Sequence, residues 1–308
     1  METKFQKTIK EPIEFEGIGL HNGIDVKLVI KPSEVNTGIK FKRTDVESDK
    51  SIIEANYKNV SSPILCTKIK NSFGISVSTI EHLMAAFYGE GIDNALVEIN
   101  APEVPIMDGS SFDFVTAIRS FGTEEQGSLK KFIKVLKKIE LKDESKFISI
   151  EPIDKDLVID FEIVYKNPLI RTRRKEFKLS SGNLDPIYNS KTFCLYEDID
   201  QIMSQGLAKG GSLENAIVVK DNKILNDDGL RYRDEFVNHK ILDCLGDLML
   251  SGHRIFGCIK TSQGGHQLTN ELLRKFLSDK SNWEFDSSKN KASDQKDYIY
   301  IRPAAVNA

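Results

Sequence analysis

The ten residues DLVIDFEIVY (156–165) alternate with a period of two, which sets Leu157, Ile159, Phe161, Ile163 and Tyr165 on one side of an extended chain. This is the pattern of a strand lying on a core. Just upstream, KFISIEPI (146–153) reads the same way. Downstream the apolar spacing becomes helical over residues 235–251 and 266–277, with a strand near 255–260 between them. The first half has the same order: DVKLVIKP (25–32) and GIKFKRTD (38–45) have strand character, and 78–88 and 111–121 have helical spacing. Strands followed by helices, twice, indicate an α+β chain of two domains packed through their helices. The polar stretch GTEEQGSLKK (122–131) reads as the linker and gives domains 1–126 and 127–308. A weak internal echo agrees, since IEHLMAAFYGEG and VNHKILDCLGDL each set a histidine early in a helix that runs into glycine. The tail over 278–296 reads as a polar loop before a short strand, YIYIRP.

Composition excludes several classes. With 308 residues, 40% hydrophobic and 29% charged, the chain can bury a substantial core and is not of disordered type. A net charge of −3 offers no footprint for nucleic acid, so an anionic ligand must rely on a few local Lys or Arg side chains. The N-terminus has no secretory apolar region and no apolar run approaches the ~20 residues of a membrane span. Cys66, Cys194, Cys244 and Cys258 lie far apart with no CxxC pair, as expected for reduced thiols in a cytoplasmic protein.

The chemistry concentrates in NHKILDCLGD. His239 and Asp243 stand at i and i+4 on a helix, Asp247 continues the stripe, and Phe236, Val237, Ile241, Leu242, Leu245, Leu248 and Met249 surround it. A buried carboxylate there needs a partner. Either the histidine and aspartate are a simple hydrogen-bonded pair, or they are part of a metal ligand set. STIEHLMAAF (78–87) poses a matching choice. Ser78 and Glu81 fit a capping box, with Ser78 as N-cap. Alternatively His82 supplies a third ligand and Glu81 takes a proton from an attacking water. The chain contains neither H-E-x-x-H nor H-x-x-E-H, which excludes the one-helix zinc peptidases. Of the five histidines, His266 follows two glycines at a strand-to-helix turn, where a helix start would lower its pKa and a carboxylate such as Asp247 would raise it. His21 and His253 sit in glycine-flanked turns and read as structural. Leu195, Ile199, Ile202 and Met203 share a helical face that either packs on the core or lines an apolar channel. Lys240 flanks the His239 stripe, free to meet an anion or solvent.

Taken in order, GIGLHNG, NTGIKFKRTD, STIEHLMAAFYGEGIDN, INAPEVPIMDGSS, KTFCLYEDI, GLAKGGSLENAIVV, ILNDDGLRYRDEFVNHKILDCLGDL and SQGGHQLTN resemble the UDP-3-O-acyl-N-acetylglucosamine deacetylase family, zinc enzymes that commit bacteria with an outer membrane to lipid A synthesis. The resemblance implies two domains of similar topology, each with a small insert, stacked as a β-α-α-β sandwich around the active site. It implies one Zn2+ per chain on His82, His239 and Asp243, with Glu81 as general base, His266 as catalytic histidine supported by Asp247, and Thr192 polarising the acetamide oxygen. It further implies substrate binding by Phe193, Lys240 and Leu65, and an acyl passage near 193–219 lined by Leu195, Ile199, Ile202 and Met203. The partner implied is an acylated UDP-amino sugar, the substrate of a monomeric cytoplasmic enzyme. One departure is visible: Gln263 stands where some members carry a lysine towards the nucleotide diphosphate. The rivals are a zinc amidase for another acylated amino sugar and a non-catalytic nucleotide-sugar binder, while iron could suit the same ligands.

Overall fold

The computed structural model describes residues 4–62 and 64–286. The strand expected at YIYIRP lies outside them. The expected strand at 156–165 forms as Leu157–Ile163, with Leu157, Ile159, Phe161 and Ile163 buried. It runs parallel to Arg254–Ser262, which also pairs with Lys146–Glu151 and Phe132–Val135. With Ile139–Asp143, Arg173–Lys178 and Trp283–Phe285 these form a seven-stranded sheet. In the first half, a five-stranded sheet has the order Ile13–Ile18, Asp25–Pro32, Ala95–Ile99, Ile39–Arg43, Ile52–Glu54. The α+β reading holds.

Helices Glu235–Met249 and His266–Ser278 pack on strands of the seven-stranded sheet, and Glu235–Met249 lies along Glu81–Glu90. Phe112–Phe121 covers Glu81–Glu90 and strand Ile13–Ile18. Glu81–Glu90 is therefore buried over its first eight residues, and it stops at Gly91, whose φ of 80° is the left-handed conformation that a helix C-cap uses. The helices Glu81–Glu90 and Glu235–Met249 approach closely at Gly246, where an added Cβ would fall 2.0 Å from the carbonyl oxygen of Glu81. That atom is backbone and cannot swing aside. Gly246→Ala is therefore expected to destabilise the protein by roughly 1–3 kcal/mol through overpacking, as read by denaturant unfolding. Unchanged stability would show that the helix contact is looser than described.

Two small sheets project from the main ones. One consists of Val60–Ser62, Lys68–Lys70 and Ser76–Val77; the other carries Phe193–Leu195, helix Tyr196–Ser204, Ile217–Lys220 and Lys223–Ile224. Among the described residues, no helix is long and apolar enough to cross a membrane.

Three local expectations are corrected. The stretch at 122–131 is not an irregular loop: Thr123–Leu129 pairs antiparallel with Phe5–Ile9, and the expected boundary at 126/127 falls inside that strand. Its Gln126 belongs to an amide network, while Glu124 and Glu125 face solvent: Asn94 donates to Gln126 Oε1 at 2.7 Å, and Gln126 donates to the Ser33 carbonyl at 2.7 Å. The start of the tail is ordered, since Trp283–Phe285 joins the seven-stranded sheet; three residues are too few to show a period. Ser78 does not cap the helix. The helix begins at Glu81, and the Ser78 hydroxyl donates instead to the Pro102 carbonyl at 3.2 Å.

Candidate functional site

Thr79 explains why capping fails. This buried β-branched residue has φ of 56°, a strained conformation, and its hydroxyl donates to Glu103 Oε1 at 2.8 Å. Glu103, itself buried, also accepts the backbone N–H groups of His21 and Asn22, each at 2.9 Å. The strained turn delivers Glu81 and His82 to the face of Glu235–Met249 that carries His239, Asp243 and Asp247.

His82, His239 and Asp243 each offer a ligand atom within 4.8 Å of the others, and all three residues are buried. Asp243 Oδ1 lies 3.6 Å from His82 Nε2 and 3.4 Å from His239 Nε2. His239 Nδ1 is 3.0 Å from the Ser190 carbonyl, which fixes that nitrogen as the N–H and leaves Nε2 as a lone-pair donor. Burial pushes the His239 imidazole down to about 3, so it is neutral, as a ligand must be. Burial works against a charged Asp243, yet His239, Lys240 and His82 together hold its carboxyl well below the usual range. Lys240 Nζ donates to Asp243 Oδ2 at 2.7 Å. The neutral His239 imidazole and the ionised Asp243 carboxylate, with His82 Nε2 beside them, suit a divalent transition metal, and such an ion would offset the cost of burying the carboxylates around it.

Glu81 stands beside this group. Its Oε2 accepts the Thr67 N–H at 3.0 Å, and its Oε1 lies 3.7 Å from His266 Nε2. Burial raises its pKa, partly offset by His266 and His82. His266 opens its helix as expected, with Nδ1 2.8 Å from Asp247 Oδ2. Burial disfavours the imidazolium, but Asp247 in contact, helped by Glu81 and Asp243, outweighs it and pushes the histidine up to about 10. Of the two opposed effects on His266, the carboxylate wins. Asp247 is held from its other side by the Thr67 hydroxyl at 2.6 Å.

A cavity of about 370 Å³ opens over the cluster, lined by Glu81, His82, His239, Asp243 and His266 together with Thr192, Phe193, Leu195 and Lys240. Beside it lies a second cavity of about 470 Å³, which shares Leu20, His21, Leu65, Thr192, Phe193, Cys194 and Ile202 with the first. Ile199 and Met203 line the second. The helix Tyr196–Ser204 buries no residue, so its apolar face lines this space rather than packing on the core. Phe193 stacks edge-on with Phe236 at 4.9 Å and with Tyr165 at 5.7 Å, which fixes its ring in the wall. All the expected site residues thus lie together, with Asp247 behind His266. Sequence reasoning missed Thr67, which bonds both Glu81 and Asp247. His21 does sit in a turn, but its ring faces both cavities and, among the described residues, neither of its nitrogens has a hydrogen-bond partner. Gln263 also lines the first cavity, and its side chain donates to Ser145 Oγ at 3.3 Å.

Three converging ligand atoms, an adjacent buried carboxylate and a cationic imidazole beneath an open cavity are the parts of a metal-dependent hydrolase. Comparison with known proteins agrees. The family described as UDP-3-O-acyl N-acetylglycosamine deacetylase matches residues 6–278. Proteins called UDP-3-O-acyl-N-acetylglucosamine deacetylase are similar along nearly the whole chain: that of Shewanella pealeana is 44% identical over 291 residues, covering 94% of each chain. Those of Histophilus somni and Haemophilus influenzae are 41% and 40% identical over 304 residues, covering 98% of each chain. The chain belongs to the UDP-3-O-acyl-N-acetylglucosamine deacetylase family.

Proposed function

We propose that this protein hydrolyses the N-acetyl group of a UDP-3-O-acyl-N-acetylglucosamine, giving acetate and UDP-3-O-acyl-glucosamine for lipid A synthesis, with one zinc ion held by His82, His239 and Asp243. The observation that carries the reading is the convergence of those three ligand atoms within 4.8 Å, beside Glu81 and His266, in a chain of this family. Bound there, zinc would act as a Lewis acid towards water and the acetamide carbonyl. Glu81 takes the proton of the attacking water on Oε1, the carboxylate oxygen that Thr67 leaves free. The Thr192 hydroxyl and cationic His266 stabilise the oxyanion of the tetrahedral intermediate. His266 then protonates the departing amine through Nε2 while Asp247 holds Nδ1. Phe193 and Lys240 hold the sugar, Leu65 and Leu195 border its acyl chain, and the second cavity takes that chain along Ile199, Ile202 and Met203.

We read the chain as the units 1–126 and 127–308, joined through the paired strand Thr123–Leu129 rather than by a loop, with the site between them. Leu65, Thr67, Glu81 and His82 come from the first and the other named groups from the second. All of them come from one chain, which suits a monomer. Four free cysteines suit a reducing cytoplasm.

The pH profile tests the role of His266. Its pKa is raised, so the cation is present below the shifted value and is lost as pH rises through it. A reaction that uses this proton falls along a basic limb, and His266→Ala is expected to remove that limb as well as lower the rate. A limb that persists in the variant would assign the titration to another group. Equal rates on 3-O-acylated and unacylated sugars would favour an amidase for a different amino sugar.

A further inference from the structure

The second cavity adjoins the first along the walls they share and extends away from it. Its shared walls lie towards the catalytic cluster, whereas Tyr196, Met203 and Leu213 line only the second cavity and are 46%, 55% and 45% exposed. These three mark the mouth where the cavity meets solvent. Tyr196 is the first residue of the Tyr196–Ser204 helix, and Lys220 ends the neighbouring strand Ile217–Lys220. Lys220 Nζ stands 4.1 Å from the centre of the Tyr196 ring, a cation–π contact that fastens the ring across from helix to strand. The contact favours one placement of this half-exposed ring at the rim.

We infer that Tyr196, positioned by Lys220, forms the outer limit of the acyl passage and sets the chain length the enzyme prefers. This rests on the second cavity taking the acyl chain. A chain ending at the Tyr196 and Met203 rim buries all its methylenes; further carbons pass the rim into water and gain no burial, and a shorter chain leaves apolar wall wet. Tyr196 acts by contact with the chain end, and Lys220 acts through Tyr196 as a positioning residue.

The test is kcat/KM on a series of 3-O-acyl substrates of increasing length, with the zinc-loaded full chain. In Tyr196→Ala, the ratio of kcat/KM for chains longer than the preferred one to that for the preferred one should rise roughly tenfold, the scale on which apolar pockets discriminate methylenes. Tyr196→Trp should move the preference to shorter chains. Lys220→Met should broaden the profile and Lys220→Arg restore it, a pattern that loss of fold would not produce. An unmoved profile in both Tyr196 variants, with dependence on the acyl chain intact, overturns the inference and leaves the proposed function standing. If the unmodified enzyme is indifferent to the acyl chain, the passage itself is wrong and the inference falls with it.

Discussion

Glu81→Gln is expected to retain its zinc and to lose turnover by about 100- to 10,000-fold, the range that a positioned general base contributes. The variant separates the two jobs proposed for the adjacent residues Glu81 and His82. Glutamine keeps an oxygen to accept the Thr67 N–H, which now bonds Glu81 Oε2, so the turn from Thr67 to the helix start should survive. What disappears is a carboxylate able to take a proton. Burial raises the Glu81 pKa, which brings it closer to neutrality and improves it as a base, while the nearby His266 cation limits that rise. Metal content by elemental analysis, set beside acetate release, checks the expectation. Turnover at the unmodified rate would remove Glu81 from the proton transfer.

His239→Ala is expected to fail at an earlier step, by losing both the metal and the activity. His239 presents Nε2 because the Ser190 carbonyl takes its other nitrogen. Truncation removes one of three donors and leaves Asp243 and that carbonyl facing a void. The loss of zinc affinity should exceed the roughly 10- to 100-fold that follows removal of a partner that only orients a ligand. Equilibrium dialysis against a zinc buffer reads it. Full occupancy at the unmodified affinity would exclude His239 from the ligand set.

Several elements of this arrangement can be read in the sequence for physical reasons. Leu157, Ile159, Phe161 and Ile163 reveal their strand because one side of it is buried. The stripe His239, Asp243 and Asp247 is visible because helical neighbours four apart share a face. That His82 lies 3.6 Å from Asp243 was not local information: the residues are separated by about half of the chain, so the sequence left His82 as one of two choices and the family resemblance decided between them. The contact of Thr67 with Asp247, 180 positions away, left no mark that a window could detect. Ser78 misled for a related reason. The capping pattern was present, but Thr79 turns left-handed to meet the buried Glu103, and this tertiary demand overrode the local preference. Thr123–Leu129 was obscured by its own polarity, because amide hydrogen bonds rather than an apolar face hold its surroundings.

The central claim, that a zinc ion at His82, His239 and Asp243 drives deacetylation of an acylated UDP-amino sugar, is tested most directly by one titration. The full chain is stripped of metal with a chelator, zinc is returned stepwise, and acetate release from UDP-3-O-acyl-N-acetylglucosamine is measured at each step. The account predicts negligible release without metal and a linear rise that breaks at one zinc per chain. Acetate release at the full rate from the stripped protein would contradict it.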